Sequence, residues 1–213
     1  MKQNKFSLVE LLVVIAVIAI LAALILAVTM YARGKSRAAE CISNQGQTIK
    51  MLIAGMEKND SKLISGASGD DLWTTALHKK GVLRDLPAVR CPEIAYDSED
   101  ITNENNRKEA FGVAVATDGK FNFKSNKISK SGGVKISPAS MMLGGCATDS
   151  NKKAAAALDF SNSKLEALHQ DAVNVFFLDG SVSSVDADDF DSKSYFRPKA
   201  DGSGSEKVSG ALR

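Results

Sequence analysis

Glu10 is the first residue in this chain whose chemistry demands a partner. It is the one charged side chain between Phe6 and Val28, and eighteen unbroken apolar residues, Leu11 to Val28, follow it. A carboxylate taken into hydrocarbon costs several kcal/mol unless it stays near the headgroups, is protonated or is paired. Three cysteines, Cys41, Cys91 and Cys146, and two histidines, His78 and His169, form a second group of reactive side chains. A third is the acidic run Asp186-Ala-Asp-Asp-Phe-Asp191, where Asp186, Asp188 and Asp189 offer hard oxygen atoms of the kind calcium takes.

The chemistry these groups advertise is limited. The chain has no HExxH, no Gly-x-Ser-x-Gly and no phosphate loop, so it is not expected to be an enzyme. His78 and Cys146 could converge on His169, but the cysteines and histidines are too scattered to match zinc-site spacing. His169 is therefore expected to bond within its own hairpin, to backbone or to Asp179, with metal binding and catalysis as the alternatives. The acidic run lacks the glycine and closing glutamate of an EF-hand loop, which leaves calcium and a solvated turn as its two readings. No other cofactor is expected.

The elements that position these residues can be read from patterning. Phe6 to Met30 would span roughly 35 Å as a helix, enough to cross a hydrocarbon core of about 30 Å. The helical period continues outward, with Ala38, Ile42, Ile49, Leu52 and Met56 as the expected buried stripe. The run "DDLWTTALHKKGVL" predicts a short helix with Asp70 or Asp71 as cap, Trp73 as a core or boundary anchor in preference to a ligand platform, and Gly81 as terminator. Asp118-Gly119 and Asp179-Gly180 each separate strand-like runs, which predicts hairpins with type I′ turns. Pairing back from the second turn sets Phe177 opposite Val182, with Val173, Val175, Phe177 and Val182 on a face covering the long helix. A helix laid on a small antiparallel sheet is an α+β head. The expected division is 1–5 leader, 6–30 membrane helix, 31–60 helix continuation, 61–198 head and 199–213 flexible tail.

Charge adds a boundary to function. The chain carries a net charge of +2, but Asp159 to Asp191 holds eight acidic residues against Lys164. No nucleic-acid partner is expected of such a surface.

The stretch Phe6-Ser7-Leu8-Val9-Glu10, preceded by Lys2 and Lys5 and followed by the apolar run, resembles the N-terminus of type IV pilins and type II secretion pseudopilins. His169, nine residues and Asp179-Gly180 resemble the His-x9-Asp-Gly signature of a large bacterial family of prepilin-like proteins. "AECISNQGQTIKML", "LWTTAL" and "VRCPE" are similar to other segments of that family. The resemblance implies cleavage between Lys5 and Phe6 by a prepilin peptidase, N-methylation of Phe6, and pairing of Glu10 with the Phe6 amine of a neighbouring subunit during assembly. Lys5 stands where the family usually has glycine, and the lack of a proline before Pro87 predicts a straighter helix than in many relatives.

The function implied by the resemblance is that of a structural subunit of a pilus-like or pseudopilus-like filament. It would sit in a bacterial inner membrane as a single-pass protein, with its head outside the cytoplasm. Its partners would be other pilin-like subunits and an inner-membrane assembly platform. The alternative is an anchored envelope binding protein that never polymerises. In that orientation the cysteines lie in a compartment that permits disulfides, with Cys41-Cys91 the pairing expected first and Cys91-Cys146 second.

Overall fold

The computed structural model describes residues 7–58, 66, 69–114, 137–159, 163–190, 192, 195–198, 205–208 and 212. Lys5, Phe6 and the Asp118-Gly119 hairpin lie outside the described residues.

One unbroken helix, α1, runs from Leu8 to Glu57, about 75 Å at 1.5 Å per residue. It starts as a capping box: Ser7 is the N-cap and its backbone N–H donates to Glu10 Oε2 at 2.8 Å. Over its first half the described side chains face outward, with Leu8, Ile20 and Leu24 each more than 60 % exposed. It is the one helix among the described residues long and apolar enough to cross a membrane. Its second half is seated in the head. The stripe buried there is Cys41, Gln45, Thr48 with Ile49, Leu52, and Gly55 with Met56. The expected stripe was right at Ile49, Leu52 and Met56. It was wrong at Ile42, which is exposed, because small and polar residues occupy the contact face nearer the outward-facing apolar half.

Short elements surround this rod. Among the described residues, helices α2 (Trp73–Lys79), α3 (Glu104–Arg107) and α4 (Ala187–Phe190) accompany nine short strands. These are β1 (Gly112–Ala114), β2 (Met142–Gly145), β3 (Ala147–Thr148), β4 (Ala157–Leu158), β5 (Lys164–Leu165), β6 (Ala172–Phe177), β7 (Val182–Asp186), β8 (Phe196–Pro198) and β9 (Ser205–Lys207). The main sheet has the order β4-β1-β2-β6-β7. It is mixed, not purely antiparallel as expected, because β1 pairs parallel with β4. The helix α2 forms as predicted and ends before Gly81 at φ +68°, but Leu72 takes the N-cap position in place of Asp70 or Asp71.

The Asp179-Gly180 hairpin exists, with a longer loop than predicted. Gly180 N–H donates to the Phe177 carbonyl, Phe177 N–H donates to the Ser181 carbonyl, and Gly180 has φ +87°. This is a three-residue loop with glycine at the left-handed position, so Val182 pairs with Phe176, not Phe177. A one-residue slip exchanges the faces of a strand. Phe176 therefore joins the core that holds Ile49, Leu52 and Trp73, with Val182 packed against it. Val173, Val175 and Phe177 lie in a second cluster with Val185, Phe190 and Val208 on the reverse side. The segment from Lys199, expected as a flexible tail with little to bury, supplies β9 and buries Val208.

Backbones approach closely where β1 and β2 meet. A Cβ added to Gly144 would run into the Gly112 carbonyl oxygen and lie 2.6 Å from Phe176 Cζ. Gly144→Ala is expected to destabilise the head by about 1–3 kcal/mol, the usual range for overpacking. Thermal unfolding of the detergent-solubilised chain checks this, and an unchanged Tm would show that the two strands can part without loss.

Candidate metal centre

The side chains that sequence spacing left scattered come together at one place. Cys41, Cys91, Cys146 and His169 each present one ligand atom, and those four atoms all lie within 4.8 Å of one another. Cys41 Sγ is 3.3 Å from Cys146 Sγ, Cys91 Sγ is 3.3 Å from His169 Nε2, and Cys146 Sγ is 3.9 Å from the same nitrogen. All four residues are buried.

Each ligand has its own support. Cys41 sits on the buried stripe of α1, one helical turn before Gln45, whose Nε2 donates to Cys146 Sγ at 3.3 Å and to the Asn174 carbonyl at 3.0 Å. Cys91 follows a proline-initiated 3₁₀ turn, Pro87–Val89, and its backbone is held by Tyr96. The Tyr96 hydroxyl accepts from Cys91 N–H at 2.9 Å and donates to the Cys91 carbonyl at 3.1 Å. Arg90, next to it, is anchored by donation to the carbonyls of Glu109, Ser98 and Asn106 at 2.7–2.8 Å, with its guanidinium 4.3 Å from the Tyr96 ring centre. Cys146 lies between β2 and β3, where its N–H donates to the Asn174 carbonyl.

His169 is set by an unusual turn. Gln170 and Asp171 have φ +54° and +63°, and His169 and Ala172 exchange both backbone hydrogen bonds across them. Two successive positive φ values are the mark of a type I′ turn, here built without glycine. The turn aims Nε2 at the sulfurs, while Nδ1 is buried without a hydrogen-bond partner among the described residues.

The thiols do not share their protons evenly. Hydrogen bonding from Cys146, then from Cys91, pulls Cys41 down to about 4. Burial pushes Cys146 well up. Cys91 is pulled down by Cys146, but its bond to Cys41 and burial outweigh that and raise it. Cys41 is thus the most acidic of the three thiols, lowered by its hydrogen bonds with the other two.

Several expectations change in this light. The three cysteines are free in this structure, and Cys41 Sγ lies beside Cys146 Sγ, a pair outside the two expected pairings, Cys41-Cys91 and Cys91-Cys146. His169 does not bond Asp179. The two stand at opposite ends of β6, and Asp179 Oδ1 instead accepts from Ser181 N–H and its hydroxyl at 3.0 and 2.6 Å. Cys146 joins His169, whereas His78 lies away on α2 with Nδ1 3.4 Å from the Leu83 carbonyl oxygen. Asp186, Asp188 and Asp189 line an open cavity with Asp171 and Ala187. Among the described residues the grouping close enough to share an ion is the cysteine and histidine set alone. Gln45 escaped sequence reading altogether; its signal was the four-residue step from Cys41 along the buried face of the helix.

Comparison with protein-family models, with curated proteins and with solved structures gave no match.

Tyr96→Phe removes the hydroxyl that satisfies both backbone groups of Cys91. The Cys91 carbonyl keeps the Ile94 N–H at 3.2 Å, but the Cys91 N–H is left buried and unpaired, which is expected to cost about 1–3 kcal/mol and to speed alkylation of Cys91 in the folded chain. Peptide mapping after timed alkylation checks this, and unchanged Cys91 labelling would show that the 3₁₀ turn alone holds the segment.

Proposed function

We propose that this chain is a pilin-like or pseudopilin-like structural subunit of an envelope filament of the type II secretion or type IV pilus kind. It is inserted once through a bacterial inner membrane with the head outside the cytoplasm, and it is not an enzyme. The observation that carries the reading is the division of one unbroken helix into an outward-facing apolar half and a half seated in the head. Leaving a Leu, Ile or Val side chain in water forgoes about 1.5–3 kcal/mol, so the bare half needs a bilayer or neighbouring apolar helices around it. A fibre of stacked subunits supplies the second after the first. Glu10 then stands at the tip of the apolar half, where the resemblance gives it the Phe6 amine of the next subunit as partner.

One observation favours the competing reading, an anchored binding protein that never polymerises. Glu10 already accepts the Ser7 N–H of its own chain, so it has a local role as part of the helix cap. The two readings part in what Glu10→Ala does. Removing a charge leaves membrane insertion intact. The head's Tm is expected to stay unchanged, because Glu10 is remote from it. Incorporation into filaments is expected to fall at least about tenfold, since breaking one side of a buried ion pair costs about 3–5 kcal/mol. The measurement is N-terminal mass analysis of the membrane-resident protein together with a filament-incorporation assay. A methylated Phe6 terminus with reduced incorporation supports the subunit. A retained Met1, or equal incorporation of both proteins, establishes the non-polymerising anchor.

A further inference from the structure

We propose that Cys41, Cys91, Cys146 and His169 hold one zinc ion in a closed tetrahedral centre that fastens the long helix to the head. This stands apart from the filament reading and survives its failure.

The geometry is that of a site needing only small adjustment. Zinc bound by sulfur at about 2.3 Å and by imidazole nitrogen at about 2.0–2.1 Å puts neighbouring ligand atoms about 3.5–3.8 Å apart in a tetrahedron. Three of the six separations are 3.3, 3.3 and 3.9 Å, which bracket those edges, and the other three lie within 4.8 Å. Three thiolates and a neutral imidazole are a soft donor set that suits zinc and excludes calcium and magnesium. Because the four ligands are buried, no coordination position is left open to water, which makes the centre structural and not catalytic.

Chemistry around the ligands agrees. Binding exchanges the thiol protons for the ion, the protons leave to solvent, and the product carries one net negative charge. Gln45 Nε2 meets that charge directly, 3.3 Å from Cys146 Sγ and 3.7 Å from Cys41 Sγ. With Nε2 on the metal, Nδ1 of His169 keeps the ring proton. A Cys41-Cys146 disulfide is the competing outcome in an oxidising compartment. It would use two of the sulfurs and leave Cys91 and His169 aimed at a bond they cannot join.

The ligands also reach far along the chain. Cys41 and Cys146 are 105 residues apart, Cys91 and His169 are 78 apart, and Cys146 and His169 are 23 apart. An ion joining them closes long loops, the case in which cross-linking restricts the unfolded chain most.

The test uses the full chain, purified in detergent without chelator. Elemental analysis is expected to find one zinc per chain. Thiol titration in denaturant with chelator is expected to find all three cysteines reduced. Stripping the zinc is expected to lower the Tm by about 10 °C or more. Reloading with cobalt should give the visible bands of a tetrahedral ion together with thiolate charge transfer, and Cys91→Ser should weaken both and lower the zinc content. If that variant does not fold, the wild-type zinc and thiol counts decide alone. A metal-free protein with a Cys41-Cys146 disulfide, three free thiols that take up no zinc, a different metal in its place, or full zinc retention by folded Cys91→Ser would each overturn the proposal.

Discussion

The constraint on which this structure depends is that a single helix must satisfy two solvents. From Leu8 to the region of Gly34 its described side chains have no protein around them, and from Cys41 to Met56 one face is closed by the head. The changeover is made by side-chain size. Gly34, Ala38, Cys41, Gln45, Thr48, Leu52 and Gly55 follow one another at alternating steps of four and three residues, the spacing that keeps one face toward a partner. Small residues let loops and strands approach the axis there. A Cβ added to Gly34 would come within 3.1 Å of the Gln170 amide nitrogen, and one added to Gly55 would run into Leu77. Large apolar residues on that face would have made a wider, greasier contact and left no room for the sulfur cluster.

A head built on such short strands needs some other source of order, and two buried arginines supply it. Arg90 ties the carbonyls of Ser98, Asn106 and Glu109 together. Arg107 does the same for Ile101 and Thr102 while reaching the Thr75 hydroxyl at 3.2 Å. Each guanidinium offers five donors in a rigid plane, so it satisfies backbone acceptors that a strand would otherwise pair. Burial lowers the Arg90 pKa, but a guanidinium starts so high that it remains charged. Arg90 also explains how Cys91, in a stretch with little regular structure, is held as firmly as a residue in a sheet. Trp73 plays the matching part at the other side of the core, donating Nε1–H to the Ala156 carbonyl at 2.9 Å.

How far the sequence revealed this fold varied with the range of the interaction. The long helix, the α2 segment and the turn at Gly180 rest on contacts within a few residues, and their signals are local. The facing of β6 was misread because loop length at Leu178 to Gly180 differs by one residue between the two hairpin types that Asp-Gly accommodates, and one residue reverses a strand. The parallel partnership of β1 with β4 is a long-range pairing with no local mark. The cysteine and histidine cluster was hardest to read. Zinc-site spacings are recognisable when two ligands share a turn, and here the four ligands come from the rod, an irregular segment, a strand end and a turn. Their meeting is a property of the tertiary fold.

Local strain points the same way as the convergence of ligands. Gln170 and Asp171 hold left-handed backbone angles that favour glycine or asparagine, at a cost of order 1–3 kcal/mol per residue. A looser turn would serve equally well to connect β5 to β6. What the strained one does is reverse the chain within two residues, so that His169 is paired to Ala172 and its Nε2 is brought to the sulfurs, while the Asp171 carbonyl accepts from Ala187 N–H at 2.8 Å and the Gln170 side chain lies where a Cβ on Gly34 would meet it. The turn thus couples the imidazole's position to the rod and to the start of α4 together. Strain persists where surrounding structure over-determines it, and here the surrounding structure is the seat of the long helix itself.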